Sequence, residues 1–441
     1  MRNRAVGLLS SLVILFVFVA SVLAQTPSEP ASAITADKVK PHVVKLADDT
    51  LEGRGAGYKG EAQAADYIAG EFARIGLRPI GDVKGASRSY FQEFRFHSYH
   101  PVKPWEVMTS RNILGLIEGT DPSLKNEIVV VGAHYDGQGM TGQADPTRKP
   151  AAVGTPADNI WNSANDNATS VAAIIEMARA IQNGSSRPKR SVLFIAFGAE
   201  EHGMTGSIYY VNHPAFPIGT HTAMINLEKL GRSPEQPFSI AGVTSSETWP
   251  GMIKTVQEVT KTKISTDPLA FPDSDHYPFG SAHIPAIIIS VSSNLDVHQP
   301  SDTADKVDFG RTAEAARFAL GLILQLANAP VRPAYVPSPI PDMGLIAHLI
   351  TTAEADQAGL AAGESGLKVT GVVNGLPSAH GGLLEGDLIL GVGDKRFHRD
   401  DTIAALMSMQ RDILMGKMGA VIPVKILRNK KPMELTLKLR P

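Results

Sequence analysis

The sequence predicts a layered α/β fold followed by a smaller β-rich unit. Three observations carry that expectation. Amphipathic helical stretches alternate with short apolar runs as far as residue 328, the order expected of helices packed on a sheet. The runs are almost continuously apolar, as in strands buried on both faces. Past a proline-rich stretch at 330–341 the pattern changes to short β-type runs separated by glycine turns.

Taken in order, residues 25–40 read as a polar lead rich in Pro, Ser and Ala. Residues 60–76 read as a helix, with Ala65, Ile68, Phe72 and Ile75 on one face and Gly76 as its stop. Residues 112–117 and 127–133 read as strands. The polar, Gly- and Pro-rich segment 137–161 reads as an ordered surface loop. A second amphipathic helix is expected over 166–182, with Val171, Ile174, Ile175, Ala178 and Ile181 inward and Asn183-Gly184 ending it. Strands follow at 191–197, 222–227 and 286–291, and a helix over 312–327 closes this part. Prolines at 330, 333, 337, 339 and 341 mark an extended linker. Beyond it, strands are expected at 367–373, 388–392, 421–427 and 434–439, with one helix near 400–409. The domain boundaries that follow are 40–328, 329–341 and 342–441.

A chain of 441 residues is long for one ordinary domain and long enough for a sizeable core. The net charge of −2 and the lack of a basic stretch beyond Arg187-Pro-Lys-Arg190 argue against nucleic-acid binding. Arg2 and Arg4 precede an apolar run at 6–23 that ends Val22-Leu-Ala24. Residues 1–24 therefore read as a cleavable export signal, with an uncleaved membrane anchor as the competing reading. The expected location is periplasmic or secreted. Cysteine is absent, so thiolate ligands and a thiol nucleophile are excluded and any metal must be held by nitrogen and oxygen.

Polar residues with metal-ligand chemistry cluster at the carboxyl ends of the predicted strands, where ligands of open α/β sheets gather. His134 follows one run, Glu200 and Glu201 a second, Glu228 a third and His298 a fourth, while Asp166 opens a helix. Singly, each has a bland reading: a surface histidine, a helix N-cap, a solvated Glu-Glu turn. Jointly they supply three carboxylates and two imidazoles for a pair of cations, with one carboxylate left over as a base. That pattern points to metal-assisted hydrolysis of an amide. The helical His-Glu-x-x-His motif is missing, which disfavours single-zinc proteases of that type.

Six stretches then carry a resemblance: Gly132-Ala-His-Tyr-Asp136, Ser163-Ala-Asn-Asp-Asn-Ala-Thr-Ser170, Phe197-Gly-Ala-Glu-Glu-His-Gly203, Ile225-Asn-Leu-Glu228 with Gly231-Arg232, Ser274-Asp-His276, and His298-Gln-Pro-Ser-Asp-Thr303. Leu51-Glu-Gly-Arg-Gly-Ala-Gly57 and Tyr90-Phe-Gln92 add to them. Over residues 40–328 the chain resembles the M28 family of co-catalytic zinc aminopeptidases. The resemblance implies a three-layer fold, a mixed sheet flanked by helices, of the zinc-exopeptidase type. It implies two zinc ions, one held by His134 and Glu228, the other by Glu201 and His298, with Asp166 bridging. Glu200 would be the general base and Asp136 the acceptor that orients His134. Two positions depart from the pattern: Glu228 stands where the family usually has Asp, and Val297 where several members carry an oxyanion-stabilising Tyr. His276 or Tyr277 would take that second role. His202, His213, His221 and His283 read as structural or exposed, and Asn167-Ala-Thr169 as a chance glycosylation sequon.

Residues 342–441 resemble a bacterial-type PDZ domain through Ser365-Gly-Leu-Lys-Val369, Val373-Asn-Gly-Leu-Pro-Ser-Ala379, Gly382-Leu-Leu-Glu-Gly-Asp-Leu-Ile389 and Val392-Gly393. Such a domain takes a C-terminal peptide as an added strand, and amides near Gly366 and Leu367 would capture its carboxylate. A tethered module of this kind predicts that removing 342–441 leaves hydrolysis of small aminoacyl substrates largely intact. The expected activity is removal of residues from peptides with a free N-terminus. The alternatives are a glutaminyl-cyclase-like acyltransferase, a carboxypeptidase, and a non-catalytic scaffold acting through its PDZ part.

Overall fold

The structure is a computed structural model that describes residues 31–97, 107–140, 159–185, 187–233, 235–270, 273–291, 295–337, 343–393, 395–399 and 420–438. The expected export signal, part of the loop expected over 137–161 and the helix expected near 400–409 lie outside the described residues.

The apolar runs pair into one mixed sheet. In chain order its strands are β1 (Phe91–His97), β2 (Val107–Ile117), β3 (Ile128–His134), β4 (Ser191–Phe197), β5 (His221–Glu228), β6 (Phe238–Ala241), β7 (Ile264–Asp267) and β8 (Ala286–Ser290). Across the sheet they run β2-β4-β3-β5-β8-β6-β7, with β1 and the short Arg78–Pro79 strand on β2. The central strands β4, β3, β5 and β8 are mutually parallel, and β2 and β6 join them antiparallel. Parallel strands end on the same rim, so His134 and Glu228, the last residues of β3 and β5, emerge side by side.

Period-two alternation explains why these runs carry no polar face. Val129, Val131 and Ala133 enter one core, whereas Ile128 and Val130 enter another on the opposite side. The first core is covered by α1 (Ala36–Leu46), α2 (Lys59–Ile75), α3 (Thr169–Asn183), α5 (Trp249–Thr260) and α7 (Phe309–Asn328). The second is covered by Tyr210 and Val211 of α4 (Thr205–Asn212) and Phe279 of α6 (His276–Ser281), where Phe197 and Phe279 meet edge-on. Gly76 closes α2 with φ of 86°, a conformation that penalises any side chain.

Several expectations need correction. The lead at 25–40 is not simply polar: Ala31 and Ile34 are buried and α1 packs Val39, Val43 and Leu46 into the first core, so that unit begins before residue 40. The helix expected over 166–182 starts at Thr169, preceded by a π-type turn at Ala164–Ala168. Asp166 therefore caps nothing, and its side chain is left for other work. A cis peptide bond joins it to Asn167.

Arg54 holds the Leu51–Gly57 segment to the sheet rim. Its buried guanidinium donates to the carbonyls of Tyr135, Leu46, Asn162 and Ser163. Burial lowers its pKa to about 10, with Asp136 and Asp302 opposing that shift, so it stays charged at neutral pH. Arg54→Met strands four carbonyl acceptors and is expected to cost on the order of 3 kcal/mol. Urea denaturation of wild type and variant measures it, and a difference within error removes this brace.

A second sheet follows: β9 (Leu345–Leu349), β10 (Leu367–Val372), β11 (Leu388–Val392), β12 (Val421–Arg428) and β13 (Lys431–Lys438), in that spatial order and antiparallel. Its own core holds Leu367, Val369, Ile389, Val424 and Ile426. The placement of the carboxylate loop at Gly366 and Leu367 is overturned here. β10 is an inner strand: Leu367 pairs with Leu349 on one side and Ile389 on the other, and Gly366 O accepts from Ile350 N at 3.1 Å. Backbone already committed to both neighbours cannot receive a further strand.

The described part of the connection, as far as residue 337, is anchored to the first unit. Arg332 donates to the carbonyls of Gly219 and His221, Tyr335 stacks on His283 with centroids 5.1 Å apart, and Val336 N donates to Ser245 O.

Candidate metal centre

The rim of the parallel strands brings together the five side chains expected to bind metal. His134 Nε2 lies 3.1 Å from Glu228 Oε1 and 3.3 Å from Asp166 Oδ1. His298 Nε2 lies 3.1 Å from Asp166 Oδ2 and 3.3 Å from Glu201 Oε1. Two groups result, His134–Asp166–Glu228 and Asp166–Glu201–His298, and in each the three donor atoms lie within 4.8 Å of one another. Asp166 belongs to both and faces each group with a different oxygen. The first group is fully buried, whereas His298 is one-third exposed at the mouth.

Glu200 stands at the side of the first group, its Oε2 3.8 Å from His134 Nε2. The turn that carries it is fixed from below. Asp136 accepts the amides of Glu200 and Glu201 at 3.0 and 3.1 Å, one with each oxygen. That refines the role expected of Asp136. His134 Nδ1 lies nearer the carbonyl of Asp136, at 3.2 Å, than its carboxylate, at 3.6 Å. The carboxylate chiefly seats the Glu200-Glu201 turn, while the backbone of the same residue meets the imidazole.

The charges show what the cluster favours. Burial opposes protonation of His134, yet Glu228 and Glu200 hold its pKa well above the usual imidazole range. Glu201 likewise raises His298, to about 10, against burial and with help from Asp166. Burial would raise the carboxyl of Asp166, but Lys229, His134 and His298 hold it well below the ordinary range. Glu200 moves the other way: burial pushes it well up, and Glu228, Glu201 and Asp275 add to the push while His134 opposes it. The cluster thus draws protons onto its imidazoles to offset crowded carboxylates. Divalent cations at the same positions supply that positive charge and leave the imidazoles neutral, as ligands must be. The donor set, nitrogen and oxygen only, suits zinc.

Four contributors escaped the sequence reading. Asp302 accepts the amides of Asn165 and Asp166 and pairs with Arg232, which fixes the backbone behind the shared carboxylate. Ser274 donates to Glu228 Oε1 at 2.9 Å and accepts from Asn226. Lys229 places its ammonium 3.5 Å from Glu228 Oε2. Asp275 is wholly buried beside the site, where burial raises its pKa to about 7. Asp302, Ser274 and Asp275 lie inside quoted motifs, which was their only signal. Nothing in the sequence ties Lys229 to the centre except its neighbour. His276 and Tyr277 open α6 at this rim, and the Tyr277 ring packs on Met204, Ile208 and Ile346. His221 is buried against Tyr210 at 2.8 Å, a structural histidine as expected.

Residues 112–323 match the family model described as "Peptidase family M28". Aminopeptidase YwaD of Bacillus subtilis is 28% identical over 274 residues, 59% of this chain and 54% of that protein. Leupeptin-inactivating enzyme 1 of Streptomyces exfoliatus is 25% identical over 288 residues, 63% of this chain and 54% of that protein. The chain thus spans about half the length of these curated relatives. Among solved structures, BSAP, a zinc aminopeptidase from Bacillus subtilis, superposes with a TM-score of 0.51 at 17% identity, over 67% of this chain and 96% of that one. That likeness establishes the mixed α/β fold.

Proposed function

We propose that this protein is an exported zinc aminopeptidase that removes residues from free peptide N-termini, a reading supported by the match of residues 112–323 to the model of peptidase family M28. The single observation that carries the reading is the shared carboxylate, Asp166, facing His134 with one oxygen and His298 with the other. In this reading His134, Asp166 and Glu228 would hold one zinc, and Asp166, Glu201 and His298 would hold a second. Zinc there would supply Lewis-acid chemistry toward the scissile carbonyl and the attacking water.

The chain's own groups do the rest. Glu200 belongs to neither ligand group, so its carboxylate is available to take a proton from water and pass it to the leaving amine. Asp136 fixes that carboxylate through the turn backbone. The acidic rim attracts the substrate's α-ammonium group, which favours a free N-terminus. His276 or Tyr277 stabilises the oxyanion in place of the residue replaced by Val297. Glu228, one methylene longer than Asp, is positioned by Ser274 and Lys229. The names of these similar proteins, aminopeptidase and zinc aminopeptidase, support the reaction class and the metal.

The proposal extends to the ends of the chain. Residues 1–24 direct export, and the unit after the 329–341 linker is PDZ-like. If a peptide adds to that unit as a strand, it does so at an end strand, β9 or β13 among the described residues.

Metal analysis paired with a panel of aminoacyl reporters tests the reading. About two zinc ions per chain and cleavage abolished by N-acetylation are expected. Cleavage that needs a free C-terminus would instead indicate a carboxypeptidase. Pyroglutamate formation with one zinc would indicate a cyclase.

A further inference from the structure

The face of the sheet opposite the large helical layer is only partly covered by α4 and α6. Val373 and Leu376, from the C-terminal unit, complete its core together with Tyr210, Val211 and Phe279. A second seam lies beside it. Ile346 of β9 packs with Met204 and Ile208 of the α4 region, and Tyr277 of α6 packs on that cluster. The approach is close: a Cβ on Gly371 would come within 2.2 Å of Ile208 Cδ1. Asn212, the last residue of α4, joins the two units with both ends of its amide. Its Nδ2 donates to Val372 O at 2.8 Å, and its Oδ1 accepts from Asn374 N at 3.0 Å.

The far end of α4 is the catalytic turn. The amides of Gly203 and Met204 both donate to Glu200 O at 2.8 Å, and Thr205 N donates to Ala199 O at 3.1 Å. Ala199 and Met204 both take positive φ, so the turn relies on its surroundings to hold that shape. A helix of eight residues cannot bend between its ends without losing its own hydrogen bonds. Movement at Asn212 is therefore movement at Glu200. Both helices clamped by the C-terminal sheet, α4 and α6, follow directly upon residues of the metal rim.

We infer that the C-terminal sheet is an internal brace for the Glu200-Glu201 turn, acting through α4, with Asn212 as the positioning residue. This reverses the expectation of a dispensable tethered module. Its kinetic consequence rests on the aminopeptidase reading above; its structural consequence does not.

The test uses the full chain and Asn212→Ala, with Gly371→Val as a second way to open the seam if the first does not fold. Three quantities are read: amide hydrogen exchange, zinc content, and kcat and KM on an unblocked aminoacyl p-nitroanilide that wild type cleaves. Faster exchange at Gly203, Met204 and Thr205 is expected, with zinc content unchanged. A kcat lower by about 10- to 100-fold at nearly constant KM is expected with it, as for a displaced catalytic group. Suppose instead that exchange at Asn374 quickens while exchange at Gly203–Thr205 or kcat stays at the wild-type value. Either result overturns the brace. A wild-type chain that cleaves no unblocked reporter defeats the aminopeptidase reading, and the exchange data alone then decide the brace.

Discussion

Glu200→Gln is expected to lower kcat by about 100- to 10,000-fold, the range for loss of a positioned general base. Gln keeps the shape of Glu but cannot accept a proton, so the effect should fall on turnover. Zinc content should stay the same, because Glu200 lies outside both ligand groups. The Asp136 bond to its amide is untouched as well, so the turn should not move. Steady-state kinetics on an unblocked reporter, with metal analysis of the same sample, makes the measurement. A Gln variant as active as wild type removes the base assignment.

Asp166→Asn should be as damaging by a different route. The shared residue faces both groups, so neutralising it weakens two sites at once. A loss of zinc affinity of at least about 100-fold is expected, more than for a residue that only supports a ligand. Calorimetric zinc titration of the chelator-treated protein reads it directly, and tight binding of two ions by the variant contradicts the bridging role. The same protein gives a pH signature. Carboxylates raise His298 to about 10 and His134 above its usual range. That stabilisation is present in full below about pH 6.5, the unfolded value, and is lost as pH rises through the folded values. Chelated wild type should therefore lose stability from about pH 6.5 towards 10, and Asp166→Asn should flatten the loss. A wild-type profile already flat over that range contradicts the charge balance described for the cluster.

Legibility in the sequence followed a physical pattern. Strands at 191–197 and 388–392 were readable to the residue because a run buried on both faces must be apolar throughout. His134 and Glu228 were readable for a related reason: polar residues that end such runs sit at a common rim. The short outer strands Phe238–Ala241 and Ile264–Asp267 left no comparable trace, since β7 is mostly exposed. Helix Ala36–Leu46 was hidden by a polar lead, although Val39, Val43 and Leu46 have helical spacing. Gly366 and Leu367 were misplaced because a glycine followed by apolar residues does not disclose whether its strand has one partner or two.

The sequence by itself determined the layer order, the identity of the donor atoms and the chemistry they permit, because burial and ligand type are properties of residues in their local run. Only the tertiary structure decided that Asp166 divides its oxygens between two groups and that Asp136 seats the Glu200 turn. It also decided that Val373, Leu376 and Ile346 of the C-terminal unit pack on the first unit, with Asn212 bonded across the seam. Those are distances between segments far apart in the chain, set by how strands register and helices pack, and no local pattern encodes them.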